Sequence, residues 1–390
     1  MAGRRSIVID ARVNALPGGH GLARSVLGLA AQLAEPADGL ALRVLVNARR
    51  PQLFGLDALP GHAEVVDTDI TLGAAHRCRD LAALLRSLQS AVLYVPYMSF
   101  TPLIRPCPFV VTLHDTTLEK DARYAGGWLR QQASLAGTRL VIRHAAAVTV
   151  PSQASLVEVK AMYQDAPNPT LVPNGIHLGA FADVPAALVA RARGRYRLPA
   201  QFILSVGAHR PHKNHQVLVR ALARLPARAH LVLVGYFDPH FRDPLPALIR
   251  ELGLRERVLL IPEVADDLLP AVYRAASAFA FPSLSEGYGL PALEALAAGV
   301  PSVVSNIPVL AEVTAGAALL VPPGDVGGWA RALETLLADH ALRGRLAAAG
   351  HAVAAAATWE RGAEALGCLL SDVANGRLPA SPHRTVRSPS

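Results

Sequence analysis

The chain is poor in the features that mark secreted, membrane-spanning or metal-clustered proteins. Its three cysteines, Cys78, Cys107 and Cys368, are odd in number, far apart and free of any C-x-x-C pair. That excludes a disulfide framework and predicts free thiols in a reducing compartment. No run of about 18 uncharged apolar residues occurs, so a hydrophobic spanning helix is not expected. At the start, MAGRRSIVID, the apolar stretch runs only from Ser6 to Ile9 before Asp10 and Arg12 interrupt it. A secretory signal needs a longer apolar core, so a cytoplasmic location is expected. No block of Lys and Arg marks a nucleic-acid arm.

The net charge of +8 is spread, at +3 for residues 1–185 and +5 for residues 186–390. Such a balance suits attraction to an anionic substrate or lipid surface, as well as a plainly basic soluble protein. Peripheral contact with the inner face of a membrane is therefore carried as an expectation, and nucleic acid is not.

At 390 residues the chain exceeds one ordinary core and predicts two domains. Short β-branched runs alternate with Ala/Leu-rich helical stretches throughout. RSIVID, LRVLV, AVLYVP, FVVTLHD, AAVTVPS and TLVPNG form a first series of strands. QFILSVGA, AHLVLVG, RVLLIPE, AFAFPS, VPSVVSN and ALLVPPG form a second. The alternation predicts an α/β protein of two doubly wound parallel sheets, with ligands bound in a cleft beyond the strand C-terminal ends.

The string EGYGLPALE places Glu286 and Glu294 eight positions apart, around a Gly-Tyr-Gly turn and a helix start marked by Pro291. One carboxylate is expected in the loop and the other in the first helical turn. Two acids so placed can grip a polyhydroxylated ligand, because carboxylates accept strong hydrogen bonds from hydroxyls. The glycines admit close backbone approach, and the helix N-terminus offers N–H groups to an anion. Hydroxyls plus phosphate describe a nucleotide sugar. The bland alternative, two solvated glutamates favoured by the helix dipole, loses weight once the surrounding string is considered.

Other motifs point to the same cleft or away from rival chemistries. GAHRPHKN forms the loop after the strand FILSV, and His114-Asp115 ends the strand FVVTL. His209, His212 and His215 recur at three-residue spacing, but no second ligand cluster accompanies them, so zinc is disfavoured. PGGHGLARS reads G-x-G-x-x-R and lacks the third glycine of a dinucleotide fingerprint. No acidic residue follows the second strand, so nicotinamide binding is disfavoured as well.

From about residue 171 to 337 the chain resembles glycosyltransferase family 4, retaining enzymes of the two-Rossmann GT-B architecture. The strings that carry the resemblance are LVPNGIHLGAF, SVGAHRPHKNHQVLVRAL, YRAASAFAFPSLSEGYGLPALEALAAGVPSVVSN and ALLVPPGD. The first half is similar more weakly, through PGGHGLARSVLGL, VVTLHDTTLE and VTVPSQASLVEV. Within the family the chain looks nearest to mannosyltransferase-like enzymes of bacterial polysaccharide assembly.

The resemblance implies roles residue by residue. Glu286 would bind the donor sugar near its reacting end and Glu294 the ribose hydroxyls. Gly287, Tyr288, Gly289 and Leu290 would offer backbone N–H groups to sugar and phosphate. Lys213 would neutralise the departing diphosphate, where negative charge grows as the bond breaks. The family's arginine beside that lysine is replaced here by Ala208 and His212, which leaves Arg210, His212 or His209 as substitutes. His114 would support the donor sugar. Gly18, Gly19 and Gly21 would lie under the donor phosphates, Val264 near the base, and Glu312 at the donor end of the cleft. Asn174-Gly175 reads as hinge structure. No Asp-x-Asp motif stands where metal-dependent GT-A enzymes have one, so no metal or other cofactor is implied.

The implied layout is an acceptor-side domain over residues 1–182 and a donor-binding domain over 183–354. A helix over 355–373 packs back on the first domain, and 374–390, rich in Pro, Ser, Arg and Gly, is a disordered tail. The implied activity is sugar transfer from a nucleotide diphosphate donor to a saccharide or lipid-linked acceptor in cell-surface polysaccharide or glycolipid assembly. The alternatives are a non-catalytic nucleotide-sugar-binding partner subunit, or a related GT-B epimerase or phosphorylase.

Overall fold

The computed structural model describes residues 4–15, 20–36, 38–47, 58–70, 78–97, 106–164 and 167–377. Two wholly parallel sheets organise them. The first has seven strands: β1 (Ser6–Asp10), β2 (Ala41–Asn47), β3 (Ala63–Thr68), β4 (Ser90–Val95), β5 (Phe109–Thr112), β6 (Ala147–Val150) and β7 (Thr170–Leu171), in the order β3-β2-β1-β4-β5-β6-β7. The second has six: β8 (Ile203–Val206), β9 (Leu231–Val234), β10 (Val258–Ile261), β11 (Ala278–Phe281), β12 (Ser302–Ser305) and β13 (Ala318–Val321), in the order β10-β9-β8-β11-β12-β13. Strand order reverses between β1 and β4 and again between β8 and β11. These reversals are where doubly wound sheets open a crevice for ligands.

The strands read as continuous apolar runs because helices cover both sheet faces. β1, β5, β6, β9, β11 and β12 are buried at every position. The exception is β3, which the sequence reading passes over. It pairs with β2 from Ala63↔Leu42 to Thr68↔Asn47 at the sheet edge. There Glu64 and Asp67 break the apolar run, and an edge position tolerates them.

The chain crosses between domains twice. Val172 packs in the first core and Ile176 in the second, so the first crossing falls ahead of the expected 182/183 division. The second runs beside it, with the Ile176 N–H donating to the Ala357 carbonyl at 2.9 Å. The helix His340–Ala356 stops there, and a new helix, Trp359–Ala374, starts one residue after Thr358. The final helix thus spans Trp359–Ala374 rather than 355–373, because the crossing consumes residues 357 and 358. Trp359, Leu366, Leu370 and Val373 join the first core. Burial of each is worth roughly 2 kcal/mol. Of the expected tail, residues 374–377 end this helix and the turn after it, with Asn375 Nδ2 donating to Asp38 at 3.0 Å. Residues 378–390 lie outside the described residues.

Candidate active site in the interdomain cleft

The loops leaving β8 and β11, on either side of the second switch point, bring Lys213 and Glu286 together. Lys213 Nζ donates to Glu286 Oε1 at 2.5 Å and sits 5.2 Å from the centre of the Phe281 ring. Both side chains are mostly shielded, at 16% and 11% exposure. The lysine leaves a short 3-10 turn, Pro211–Lys213, pinned by Asn214 Nδ2 on the Pro282 and Pro323 carbonyls. An ammonium and a carboxylate therefore stand ready at one point of the cleft, each able to turn to a ligand of opposite polarity.

Glu294 lies deeper. The helix Leu290–Ala297 starts after Gly289, whose φ of 96° suits glycine, and Glu294 is its fifth residue. It thus falls in the second turn, not the first as the string suggests. Glu294 is 3% exposed, and its carboxylate holds two donors. Tyr273 Oη donates to Oε2 at 2.7 Å, and Arg24 Nη1, from the first domain, to Oε1 at 2.6 Å. Burial and the adjacent Glu294 raise the Tyr273 pKa well above its ordinary value, so it stays a donor. For Arg24, burial opposes the cation, but Glu294, Tyr273 and Asp266 outweigh it and raise its pKa. A small pocket opens beside this cluster, with Arg24, His177, Asp266, Leu290 and Trp359 among its walls.

The EGYG turn is also where the first domain docks. Ser285 Oγ meets Thr117 Oγ1 at 2.9 Å and accepts from Lys120 Nζ at 3.0 Å. The Gly287 carbonyl accepts from Ser152 Oγ and Ser155 Oγ, both at 2.9 Å. Tyr288 Oη donates to the Asn174 carbonyl at 2.7 Å. A Cβ on Gly287 would overlap the His114 carbonyl oxygen, so only glycine lets the two domains meet here. Glu312 serves the same union: its two oxygens accept from the N–H groups of Gln153 and Ala154 at 2.8 Å. It caps the helix Gln153–Met162 of the first domain.

His114 follows β5. Its Nε2 lies 2.7 Å from the Pro96 carbonyl, which can only accept, so this nitrogen carries the proton. Burial lowers its pKa despite Pro96 and Asp115, leaving a neutral ring whose Nδ1 is an acceptor. Burial alone would raise the Asp115 pKa. The Thr117 N–H and hydroxyl outweigh it, and the pKa falls.

The substitutes for the absent arginine are otherwise engaged. Arg210 Nε donates to Asp238 at 2.8 Å and Nη2 to Tyr236 Oη at 3.0 Å. His212 is buried with its ring edge on Tyr124, and burial followed by Lys213 pushes its pKa down to about 3. His209 Nδ1 pairs with Asp243 at 3.0 Å, and its ring packs against His215. Among the described residues no three His, Cys, Asp or Glu side chains converge as a metal-ligand set. Val264 is buried in the second core. Gly21 lies in the helix His20–Ala31, while Gly18 and Gly19 fall outside the described residues.

Arg24 and Tyr273 are the residues the sequence reading missed. Arg24 had a signal: it stands where a dinucleotide fingerprint has its third glycine. Tyr273 opens the string YRAASAFAF but has no local mark of its partner 21 residues on.

A family profile described as "Glycosyl transferases group 1" matches residues 191–353, and one described as "Glycosyl transferase 4-like domain" matches residues 20–175. The chain belongs to the family 4 type of glycosyltransferases. It is 33% identical over 270 residues to a D-inositol 3-phosphate glycosyltransferase of Xylanimonas cellulosilytica, covering 66% of this chain and 65% of that protein. It is 35% identical over 185 residues to the serotype-specific mannosyltransferase WbdA of Escherichia coli, covering 46% of this chain and 23% of that protein. The chain thus spans less than two thirds of the length of these relatives.

Among solved structures, sucrose-phosphate synthase from Thermosynechococcus elongatus superposes with a TM-score of 0.75 at 23% identity, over 96% of this chain and 100% of that one. HepE of Anabaena, solved with UDP and glucose, gives 0.73 at 19%, over 95% and 100%. These likenesses establish the GT-B fold. No helix among the described residues is long and apolar enough to cross a membrane.

Proposed function

We propose that the protein is a retaining, metal-independent glycosyltransferase that moves a sugar from a nucleotide diphosphate donor to a saccharide or lipid-linked acceptor. The observation that carries this reading is the Lys213–Glu286 pair at the second switch point, with the buried carboxylate of Glu294 on the helix that follows. Lys213 would stabilise the departing diphosphate. Glu286 would hold the donor sugar, Glu294 the ribose, and neutral His114 would accept a hydrogen bond from a sugar hydroxyl. In a retaining transfer, the bond from the anomeric carbon to the phosphate oxygen breaks as the acceptor oxygen bonds to the same face. The acceptor proton passes to the leaving phosphate, so no protein base is required. Closure of the domains on the EGYG turn would exclude water and its wasteful hydrolysis of the donor.

Mannose is the first sugar to try, because a stretch of 185 residues is similar to a protein named as a mannosyltransferase. Release of nucleoside diphosphate from GDP-mannose and from UDP- and dTDP-sugars, with saccharide acceptors present, tests the reading. Glu286→Ala should abolish turnover while the far-UV spectrum stays native. Turnover near wild type in that variant would remove the assignment.

A further inference from the structure

The first domain buries an ion pair at its switch point that the proposed reaction does not use. Asp10 ends β1, and Arg12 opens the short 3-10 helix Arg12–Ala15 that follows. The two residues are 0% and 2% exposed. Arg12 Nε donates to Asp10 Oδ1 at 2.8 Å and Nη2 to Oδ2 at 2.7 Å, a bidentate fork. Its Nη1 reaches across to the Ile70 carbonyl at 3.2 Å, beyond the end of β3. Tyr97, two residues past β4, is buried and faces the same pair. Burial, then Asp10, raise its pKa well above the ordinary value against the pull of Arg12, so the hydroxyl keeps its proton.

Stability does not account for this pair. Taking two charges out of water costs about as much as their attraction returns, and apolar side chains of similar volume often do as well or better. What the pair supplies is direction. One fork of fixed geometry ties together the chain where it leaves β1, β3 and β4, all at the strand ends that face the cleft. A pair that merely capped the turn after β1 would need only the Arg12 N–H on Asp10 Oδ1, at 3.2 Å. It would not engage Ile70 and Tyr97 as well.

The same strand end carries the carbonyl that His114 meets. β4 runs beside β5, and His114, two residues past β5, donates from Nε2 to the Pro96 carbonyl at 2.7 Å. That oxygen belongs to the planar peptide joining Pro96 to Tyr97, which can turn only about the bonds flanking it. With Tyr97 held by its buried side chain, the plane is fixed and its oxygen stays aimed at the imidazole. We infer that Asp10, Arg12 and Tyr97 are positioning residues for His114: they hold the Pro96 carbonyl where it keeps the ring proton on Nε2 and leaves Nδ1 as the acceptor. The use of that acceptor on a sugar hydroxyl rests on the transferase reading; the set of the ring does not.

Nitrogen NMR of the full chain labelled at its histidines, with His114→Gln used to assign the His114 signals, tests the inference. Wild type should show one His114 tautomer, with the proton on Nε2. Asp10→Leu/Arg12→Met, which puts apolar side chains of similar size in place of the pair, should keep a urea midpoint near wild type but give mixed tautomers. Tyr97→Phe, which removes only the hydroxyl, should mix them to a lesser degree, and it decides the matter if the double variant does not fold. In transfer assays the double variant should lose roughly tenfold or more in turnover at an unchanged donor KM. In a His114→Gln background the same changes should cost nothing further. If wild type releases no nucleoside diphosphate from any donor, the transferase reading fails and the tautomer measurement alone judges the positioning role. A wild type of mixed tautomers, a single Nε2-protonated ring in both variants, or losses that add in full to those of His114→Gln would each overturn it.

Discussion

Arg24 Nη1 lies 2.6 Å from Glu294 Oε1, and this contact joins a helix of the first domain to the carboxylate expected to hold a ribose in the second. Together with Tyr273 on Oε2 it fixes the rotation of the carboxylate, leaving the remaining lone pairs for a ligand. Because Arg24 belongs to the opposite domain, the carboxylate is fully oriented only when the domains are together.

Removing Arg24 strands a buried charge. Arg24→Ala should lower stability by about 2 kcal/mol, less than for a wholly buried pair because Arg24 is partly open to the cleft. A cycle with Glu294→Gln, read by chemical denaturation, should give a coupling of about 1–2 kcal/mol. Zero coupling would mean that the pair does not form in solution.

Gly287 has no room for a side chain. Gly287→Ala should leave each domain folded but hold them apart, lowering transfer by about tenfold or more through lost alignment. Small-angle scattering of the variant should show a larger radius of gyration than wild type. An unchanged radius with full activity would contradict the close approach to His114. Gly194→Ala, in open space on a helix, is the matched control and should be silent.

Lys213 and Glu286 are mutually compensating, so their loss should be felt more in chemistry than in folding. Lys213→Ala should cut turnover by about a hundredfold or more, as removal of a transition-state charge partner does. Lys213→Arg should recover part of that. The check is single-turnover kinetics at saturating donor; equal turnover in all three proteins would remove the leaving-group role.

Acid should destabilise the second domain through its histidines. Burial first, then Lys213 for His212 and His209 for His215, push both pKa values from 6.5 down to about 3. Between those values the unfolded chain binds more protons than the folded one, so stability rises with pH. The contribution is complete above about pH 6.5 and is lost as the pH falls toward 3. Urea midpoints should drop between about pH 7 and about pH 4.5, and His215→Gln should flatten the slope. A slope identical to wild type would contradict a buried neutral His215.

The sequence disclosed the architecture where its physics is local. Parallel strands covered by helices read as short, mostly apolar runs, and the sequence reading found every strand but β3. That one was missed because an edge strand can carry Glu64 and Asp67. Glu286 was marked by the Gly-Tyr-Gly turn after a strand end and Lys213 by the family resemblance of its loop, and the structure brings the two side chains together. Arg24 was hidden because its partner is 270 residues away, and no periodicity encodes a contact between domains. The partner of Arg210 was hidden for the same reason: Asp238, which engages it, comes from the next strand's loop. Glu312, expected at the donor end of the cleft, spends both oxygens on the N-terminus of a helix across the cleft.

Calorimetric titration of the full chain with GDP, UDP, dTDP and ADP, repeated on Glu294→Ala, tests the account at its centre. One nucleoside diphosphate should bind the wild type well above the others, and the variant should bind it about tenfold or more weaker. Failure of all four to bind, or equal affinity in the variant, would contradict the account.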